Sequence, residues 1–215
     1  HCPSPNFNER PAGEISLLVV HNISLPPAQF GTGKVQEFFQ NRLDVTEHPY
    51  FEGIADLRVS AHFLIEREGA VTQFVSCRDR AWHAGAGRWG TITDVNSASI
   101  GIEIDNNGHS PYPQAQIDSL IVLLGDLTRR LRIPPSQILG HSDLAPARKV
   151  DPGPLFPWRQ LAEAGFGIWP DAAVVAAPDG FDPWLALQAL GYSLQDRPAT
   201  VRAFHHRFRG REGVE

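Results

Sequence analysis

The stretch Ile15-Ser16-Leu17-Leu18-Val19-Val20-His21 is the part of the sequence that best defines the fold. A run of apolar, partly β-branched residues of this length is typical of a buried strand. The run ends at a histidine, a side chain that can titrate or bind a metal. Because strand ends and the loops after them commonly carry functional groups, we expect a candidate site at this end of the strand.

Further strands and helices are interspersed along the rest of the chain. The patterns predict strands at 60–66, 71–75, 99–104 and 138–140, and helices at 33–42, 113–131 and 155–164. The helix at 113–131 has the clearest pattern, with apolar residues at spacings of three and four. The turn Glu68-Gly69 predicts a hairpin, whereas the other strands need crossover connections. We therefore expect an α/β or α+β fold with a mixed central sheet flanked by helices.

Length and composition limit the kinds of protein that this chain could be. The 215 residues suffice for one well-buried domain and a small appendage. The net charge of −5 provides no basic stripe, which argues against a nucleic-acid partner. No apolar run approaches the roughly 18 residues of a membrane span, so we expect no transmembrane segment. Cys2 and Cys77 are expected to be two unrelated thiols, although a disulfide between them is possible. Nothing in the composition bears on the oligomeric state.

The C-terminal part differs from the rest. Residues 171–180 are low in complexity and predict a linker between a main domain at 1–170 and a small helical appendage at 181–215. Within the appendage, 183–190 and 198–208 carry apolar helical stripes. So few residues bury little surface alone, and we expect them to rest on the main domain. The chain contains no methionine and begins without a basic and apolar leader, which suggests a processed or trimmed start.

His21, His141 and Asp151 form a candidate metal site. His141 stands ten positions before Asp151, and both lie in segments rich in Gly and Pro. Two neutral imidazoles and one carboxylate would leave the fourth tetrahedral position of a Zn²⁺ ion open for water, as in catalytic zinc sites. His21 lies far from the other two in the sequence, and a histidine taken alone is more often structural than a ligand. Spacing alone leaves both interpretations open.

His62, His83 and Trp89 also have two interpretations each. His62 lies in the predicted strand at 60–66, and His83 lies in Trp82-His83-Ala84-Gly85. Each histidine could be packed and hydrogen-bonded in the interior, or could line a substrate cleft or contact a metal ligand. Trp89 could stack on a sugar or a peptide, or could simply pack. Our hypothesis assigns all three to substrate binding.

Six motifs follow one another in the order found in one enzyme family. They are Val20-His21-Asn22, Ser60-Ala61-His62, Ala81-Trp82-His83-Ala84-Gly85, Ile100-Gly101-Ile102-Glu103, Gly140-His141-Ser142-Asp143 and Arg148-Lys149-Val150-Asp151-Pro152-Gly153-Pro154. From about residue 3 to 170 the chain resembles the zinc-dependent N-acetylmuramoyl-L-alanine amidases of the amidase_2 group, with greatest similarity to the AmpD type. Segments 187–192 and 200–209 instead resemble the small helical peptidoglycan-binding module of AmiD-like envelope amidases, which AmpD-type enzymes lack.

The resemblance implies a site and an activity. His21, His141 and Asp151 would bind one zinc ion. Glu103 matches the acidic residue that exchanges protons with the attacking water, and Lys149 the basic residue that faces the scissile carbonyl. The enzyme would hydrolyse the amide between N-acetylmuramic acid and the L-alanine of the stem peptide, including that of anhydro-muropeptides. Its partners would therefore be peptidoglycan fragments or the polymer.

Substrate access and location depend on the remaining features. Tyr50 matches an aromatic position implicated in the cleft when its loop is closed. The AmpD-like segments imply small fragments and the cytoplasm, whereas the appendage implies the polymer and the bacterial cell envelope, specifically the periplasm; we favour the envelope. Two alternatives stay open. They are a broad cell-wall amidase or endolysin that acts on intact sacculi, and a non-catalytic peptidoglycan-recognition module.

Overall fold

The computed structural model describes residues 2–170 and 175–210. Its strands are β1 (Phe7–Glu9), β2 (Leu17–Ile23), β3 (Phe63–Ile65), β4 (Val71–Gln73), β5 (Asp79–Ala81), β6 (Ser99–Asp105) and β7 (Ile138–Gly140). Its α-helices are α1 (Lys34–Phe39), α2 (Pro49–Glu52), α3 (Val95–Ala98), α4 (Gln114–Leu131), α5 (His141–Leu144), α6 (Trp158–Glu163), α7 (Pro183–Leu190) and α8 (Arg197–Arg209). Short 3₁₀ turns lie at Val45–Glu47 and Pro135–Gln137.

Five strands form the central sheet, in the order β4-β3-β6-β2-β7. β2 pairs in parallel with β6 and β7, and β6 pairs in parallel with β3. Only β4 runs antiparallel, as the second strand of the predicted hairpin with β3. The mixed sheet flanked by helices confirms the predicted α+β class.

One face of this sheet is covered by α4. Leu18 and Val20 of β2 lie in the same buried cluster as Leu120 and Leu124 of α4, and all four are fully buried. Burying a side chain of this size contributes about 1.5–3 kcal/mol relative to leaving it exposed. The apolar stripe of α4 thus holds this face, because its spacing of three and four keeps the buried positions on one side of the helix.

The opposite face is shared between the appendage and the candidate site. Leu17 and Val19, near the start of β2, lie in one apolar cluster with Leu187, Tyr192 and Ala203 of the appendage. Since side chains alternate across a strand, His21 points to this same face, beyond Val19. The appendage therefore covers the beginning of β2, and the end of β2 faces the candidate site.

Several elements differ from the predictions. The helix predicted at 155–164 begins only at Trp158, because the prolines around 152–157 keep the preceding segment non-helical. The two-stranded ribbon of β1 and β5 was not predicted, because both strands are short and the β1 residues are exposed. Of the predicted linker at 171–180, residues 171–174 lie outside the described residues, and 175–180 contain no helix or strand.

Two further predictions concern the cysteines and the membrane. Cys2 and Cys77 are both free thiols, as expected for two unrelated cysteines. Among the described helices, none is both long enough and apolar enough to span a bilayer.

Candidate active site

The three predicted ligands meet at one point. Nδ1 of His21 lies 2.9 Å from Nδ1 of His141 and 3.1 Å from Oδ2 of Asp151, and His141 Nδ1 lies 3.0 Å from the same Oδ2. The two imidazoles are almost fully buried and the Asp151 side chain is 14% exposed. His21 lies in β2, two residues before its end, His141 begins α5, and Asp151 lies in the loop after α5. The fold thus assembles a set that could hold a metal ion.

A chain of hydrogen bonds fixes the tautomer of His21. Its Nε2 lies 2.9 Å from Nδ1 of His83, and His83 Nε2 lies 3.2 Å from the hydroxyl of Ser99. That hydroxyl donates to the carbonyl of Val95 at 2.6 Å. Because a carbonyl only accepts, Ser99 must accept from Nε2–H of His83, whose Nδ1 then accepts from Nε2–H of His21. Nδ1 of His21 therefore presents a lone pair to the other two ligands.

The tautomer of His141 is fixed in the same way. Its Nε2 lies 2.9 Å from the carbonyl of Ala84, which can only accept, so in the neutral ring Nδ1 again carries the lone pair. Arg148 donates to the carbonyls of Ala84 and Ala86 at 2.7 and 2.6 Å and so holds the acceptor in place. Oriented ligand imidazoles of this kind usually donate their second N–H to a carbonyl or carboxylate.

Three hydrogen-bond acceptors consequently face one another. Two imidazole lone pairs and one carboxylate oxygen lie 2.9–3.1 Å apart, and the tautomers leave no ring hydrogen between them. Such an arrangement is repulsive unless a cation lies among the three atoms. The geometry of the described residues thus fits a metal ion better than it fits a set of ordinary hydrogen bonds.

The loop that carries Asp151 is tied to β2. The backbone carbonyl of Asp151 accepts from the N–H of Ser142 at 2.8 Å. The next carbonyl, of Pro152, accepts from the side chains of Asn22 at 2.8 Å and Tyr112 at 2.7 Å. Asn22 directly follows His21, so the strand and the loop that supply two of the candidate ligands are joined by a direct contact.

Electrostatics keep the ligands in the forms that a metal needs. Burial is the main reason why the pKa of His21 falls to about 4, and the neighbouring His141 is the second. The His21 ring is therefore neutral at neutral pH. Burial by itself would raise the pKa of Asp151, yet the adjacent His141 and His21 hold that pKa below its usual range. A neutral His21 ring and an ionised Asp151 carboxylate result.

Glu103 lies beside the ligands on β6, in register with His21 of β2. The residue is 8% exposed, and its Oε2 has no hydrogen-bond partner among the described residues. Burial, with a contribution from the negative charge of Asp151, raises the pKa of Glu103 well above its usual value. A buried carboxyl without a partner is costly, and such groups are common where protons are transferred.

A cavity of about 470 Å³ opens onto these groups. Its polar wall contains the three ligands, Glu103 and Lys149. Its other walls are largely apolar and include Phe38, Phe39, Tyr50, Ile54, Leu57 and Val59. His83 also lines the cavity. Among the predicted site residues, the structure thus brings the metal ligands, Glu103, Lys149, Tyr50 and His83 into one space.

His62 and Trp89 lie outside this cavity, and their role in substrate binding stays a prediction. His62 is fully buried; its Nδ1 accepts from the N–H of Gly101, and its Nε2 lies 3.1 Å from the carbonyl of Asp79. Trp89 is 8% exposed and packs edge-on against Tyr192 at 5.0 Å between ring centroids. Neither side chain lines the cavity, because both are enclosed by contacts within the protein.

Sequence reasoning missed the residues that orient the ligands. Ser99, Arg148 and the carbonyl of Ala84 act on His21 and His141 without any recognisable pattern of their own. One usable signal was Gly101, since a Cβ at this position would lie 2.4 Å from the ring of His83. A glycine inside a buried strand often marks such a close approach.

Sequence comparison finds a matching family model and similar named proteins. Residues 11–154 match the Amidase_2 family model, N-acetylmuramoyl-L-alanine amidase. The 1,6-anhydro-N-acetylmuramyl-L-alanine amidase AmpD of Haemophilus influenzae is 47% identical over 159 residues, which are 73% of this chain and 86% of AmpD.

Solved structures extend the likeness to the fold. A crystal structure of an AmpD superimposes with a TM-score of 0.73 at 43% identity, over 75% of this chain and 91% of AmpD. The amidase AmiD from E. coli, in complex with the substrate anhydro-N-acetylmuramic acid-L-Ala-D-γ-Glu-L-Lys, gives 0.69 at 30% identity over 95% of this chain and 90% of AmiD. The chain therefore belongs to the amidase_2 family of N-acetylmuramoyl-L-alanine amidases.

Proposed function

We propose that this chain is a zinc enzyme that hydrolyses the amide between N-acetylmuramic acid and the L-alanine of the peptidoglycan stem peptide. Its substrates would be anhydro-muropeptide fragments released in cell-wall turnover or recycling. One observation carries the proposal: the three ligand atoms converge beside a buried, unpartnered carboxyl in a single cavity. The anhydro-muropeptide bound to AmiD and the name of the AmpD relative support the choice of substrate.

The donor set fits zinc. Two imidazole nitrogens and one carboxylate oxygen are ligands that Zn²⁺ accepts in tetrahedral sites, and three protein ligands leave one position for a water or a substrate. His21 and His141 both direct a lone pair towards the shared point, as their tautomers require. Zinc, when bound, would acidify a water towards a pKa of about 7 and polarise a carbonyl oxygen.

Glu103 would move the proton. Its carboxylate would take a proton from the attacking water and pass it to the alanine nitrogen as the C–N bond breaks. Because burial raises the pKa of Glu103, the carboxyl can keep that proton between the two steps. Glu103 is 8% exposed and lines the cavity, so a water bound there would meet its carboxyl group.

Lys149 and the apolar walls would complete the site. Lys149 lines the cavity with the ligands and would stabilise the negative oxygen of the tetrahedral intermediate, where one donor can contribute about 2.7–4 kcal/mol. Tyr50 is 45% exposed at the cavity edge and would contact the bound muropeptide. His83 would orient the His21 ring through the hydrogen bond to its Nε2, and it also lines the cavity.

The domain division and location belong to the same proposal. We infer a catalytic domain at 1–170 and a peptidoglycan-binding appendage at 181–215, supported by the AmiD structure that superimposes on 95% of this chain. This division favours an enzyme of the bacterial cell envelope, where the polymer is within reach; an AmpD-like cytoplasmic location is the alternative. Cell fractionation with an antibody against the chain would decide between the two.

Mass spectrometry of reaction products tests the proposed activity. Anhydro-muropeptide and purified sacculi are each incubated with the enzyme, with and without a chelator. We expect free stem peptide from the anhydro-muropeptide, loss of this product with the chelator, and recovery when zinc is added.

Three outcomes would change the proposal. Equal or faster release from sacculi would favour a broad cell-wall amidase. Binding of muropeptide without any release would favour a recognition module. Full activity in the presence of the chelator would exclude the zinc mechanism.

A further inference from the structure

We propose that two appendage residues, Tyr192 and Arg207, are positioning residues for the metal ligand His141. Both reach across to Asp143, which lies in the same short helix, α5, as His141. The appendage would then act on the catalytic site as well as on the polymer. This inference rests on the proposed zinc site.

Asp143 is the centre of the contact. Its Oδ1 accepts from the hydroxyl of Tyr192 at 2.6 Å, and its Oδ2 accepts from the guanidinium of Arg207 at 2.8 Å. Oδ2 also accepts from the backbone N–H of Gly140 at 2.8 Å, which closes the start of α5. Asp143 is 1% exposed, so solvent cannot replace either appendage residue as its partner.

Arg207 contacts residues both before and after His141 in the chain. Besides Asp143, its guanidinium donates to the carbonyl of Ile138 in β7 at 2.9 Å. It also lies over the ring of Trp158 at 4.1 Å from the centroid. Trp158 in turn packs against the backbone of Gly140, where an added Cβ would lie 3.2 Å from the indole. The strand before His141 and the helix after it are therefore fixed by one side chain.

A stabilising role alone does not account for this arrangement. The Arg207–Asp143 ion pair is nearly fully buried, with side chains 3% and 1% exposed. Buried ion pairs seldom stabilise a fold more than apolar residues of the same volume would, because both charges lose their hydration. Such a pair fixes the orientation of the groups that it joins, since each hydrogen bond constrains an angle. Here the constrained element carries a ligand atom whose lone pair must point at one spot.

Zinc affinity provides the test, measured on the full chain by chelator competition. Tyr192→Phe removes one hydroxyl and keeps the ring that packs on Trp89; Arg207→Met removes the charge and keeps an apolar stem. Each should weaken zinc binding about tenfold, the lower end of the effects seen for groups that orient metal ligands. The visible absorption of the Co²⁺-loaded variants should also shift, because the ligand geometry changes. At saturating zinc, kcat should fall with little change in KM.

Arg209→Met is the matched control, since this exposed residue lies on the same helix two positions further on. It should leave zinc affinity and the Co²⁺ spectrum unchanged. Wild-type zinc affinity in Tyr192→Phe and Arg207→Met, even with a lowered melting temperature, would overturn the inference and show a structural role only. If Arg207→Met does not fold, Tyr192→Phe decides alone. A wild-type chain that binds no zinc would overturn the proposed function, and this inference with it.

Discussion

The two faces of the central sheet differ in what they bury: the face against α4 buries apolar side chains, whereas the opposite face also buries polar and ionisable groups. Against α4, β2 and β6 contribute apolar residues such as Leu18 and Ile102, all fully buried. On the other face, the same strands contribute His21, Ser99 and Glu103, which are also buried. Burial on the first face stabilises the fold, whereas on the second it sets tautomers and pKa values.

This difference teaches how one strand serves both purposes. Alternate residues of β2 point to opposite faces, so a shift by one position would move His21 into the α4 core and Val20 into the cavity. The apolar face fixes the register, and the register places His21 beside Glu103 of β6. The four predictions below test whether the two faces are separable in this way, beginning with the largest expected effect.

The first prediction concerns chemistry on the polar face. Glu103→Gln keeps the shape of the side chain but removes the proton acceptor, so kcat should fall by roughly 10²–10⁴-fold. Zinc content should stay unchanged, because Glu103 is outside the ligand set. Product release measured by chromatography, together with elemental analysis of the protein, checks both parts. Wild-type turnover in this variant would contradict the assignment.

The second prediction concerns stability on the apolar face. Leu120→Ala in α4 empties fully buried space and should lower the free energy of unfolding by about 2–5 kcal/mol. Zinc affinity of the folded protein should not change. Urea denaturation and chelator competition measure the two quantities. A loss of zinc affinity comparable to the loss of stability would show that the faces are not separable.

The third prediction uses His62, a fully buried histidine. Burial lowers its pKa in the folded protein to about 3, from 6.5 in the unfolded chain. Between these values the unfolded state binds more protons, so this contribution to stability is complete above pH 6.5 and is lost as pH falls towards 3. At about 1.4 kcal/mol per pKa unit, the effect reaches a few kcal/mol.

Denaturation of the wild type and His62→Gln between pH 3.5 and 7 measures this contribution. The variant should be less stable at neutral pH, because a glutamine does not reproduce the position of the ring nitrogen that accepts from the N–H of Gly101. Its stability should also fall less steeply with acid. Parallel curves for the two proteins would mean that His62 is not the residue responsible.

The fourth prediction concerns the glycine that leaves room for His83. A Cβ at Gly101 would lie 2.4 Å from the His83 ring, so Gly101→Ala should displace this ring from His21. Losing such an orienting contact should weaken zinc binding by about 10–100-fold. Gly125→Ala on α4 is the control from the other face, where the new methyl meets only Phe166 at an ordinary 3.5 Å. Gly125→Ala should keep its zinc affinity. An equal loss of zinc affinity in both variants would contradict the role given to the contact between His83 and His21.

Much of the architecture could be predicted from local patterns. The apolar run before His21, the stripe of α4 and the hairpin of β3 and β4 each follow from a periodicity within a few residues. The strand, the helix and the hairpin are determined by the sequence itself because each depends on neighbours along the chain. The candidate ligands His21, His141 and Asp151 were implied only by the resemblance to a known family, since their spacing alone left a structural interpretation open.

Only the tertiary structure decided how those residues are used. His62 and His83 both lie in family motifs, yet His62 is enclosed between Gly101 and Asp79, whereas His83 contacts His21. The contacts of His21 with His83, and of Asp143 with Arg207, join residues more than 60 positions apart. Hydrogen-bond direction depends on such distant partners, and so no local pattern in the sequence could specify it.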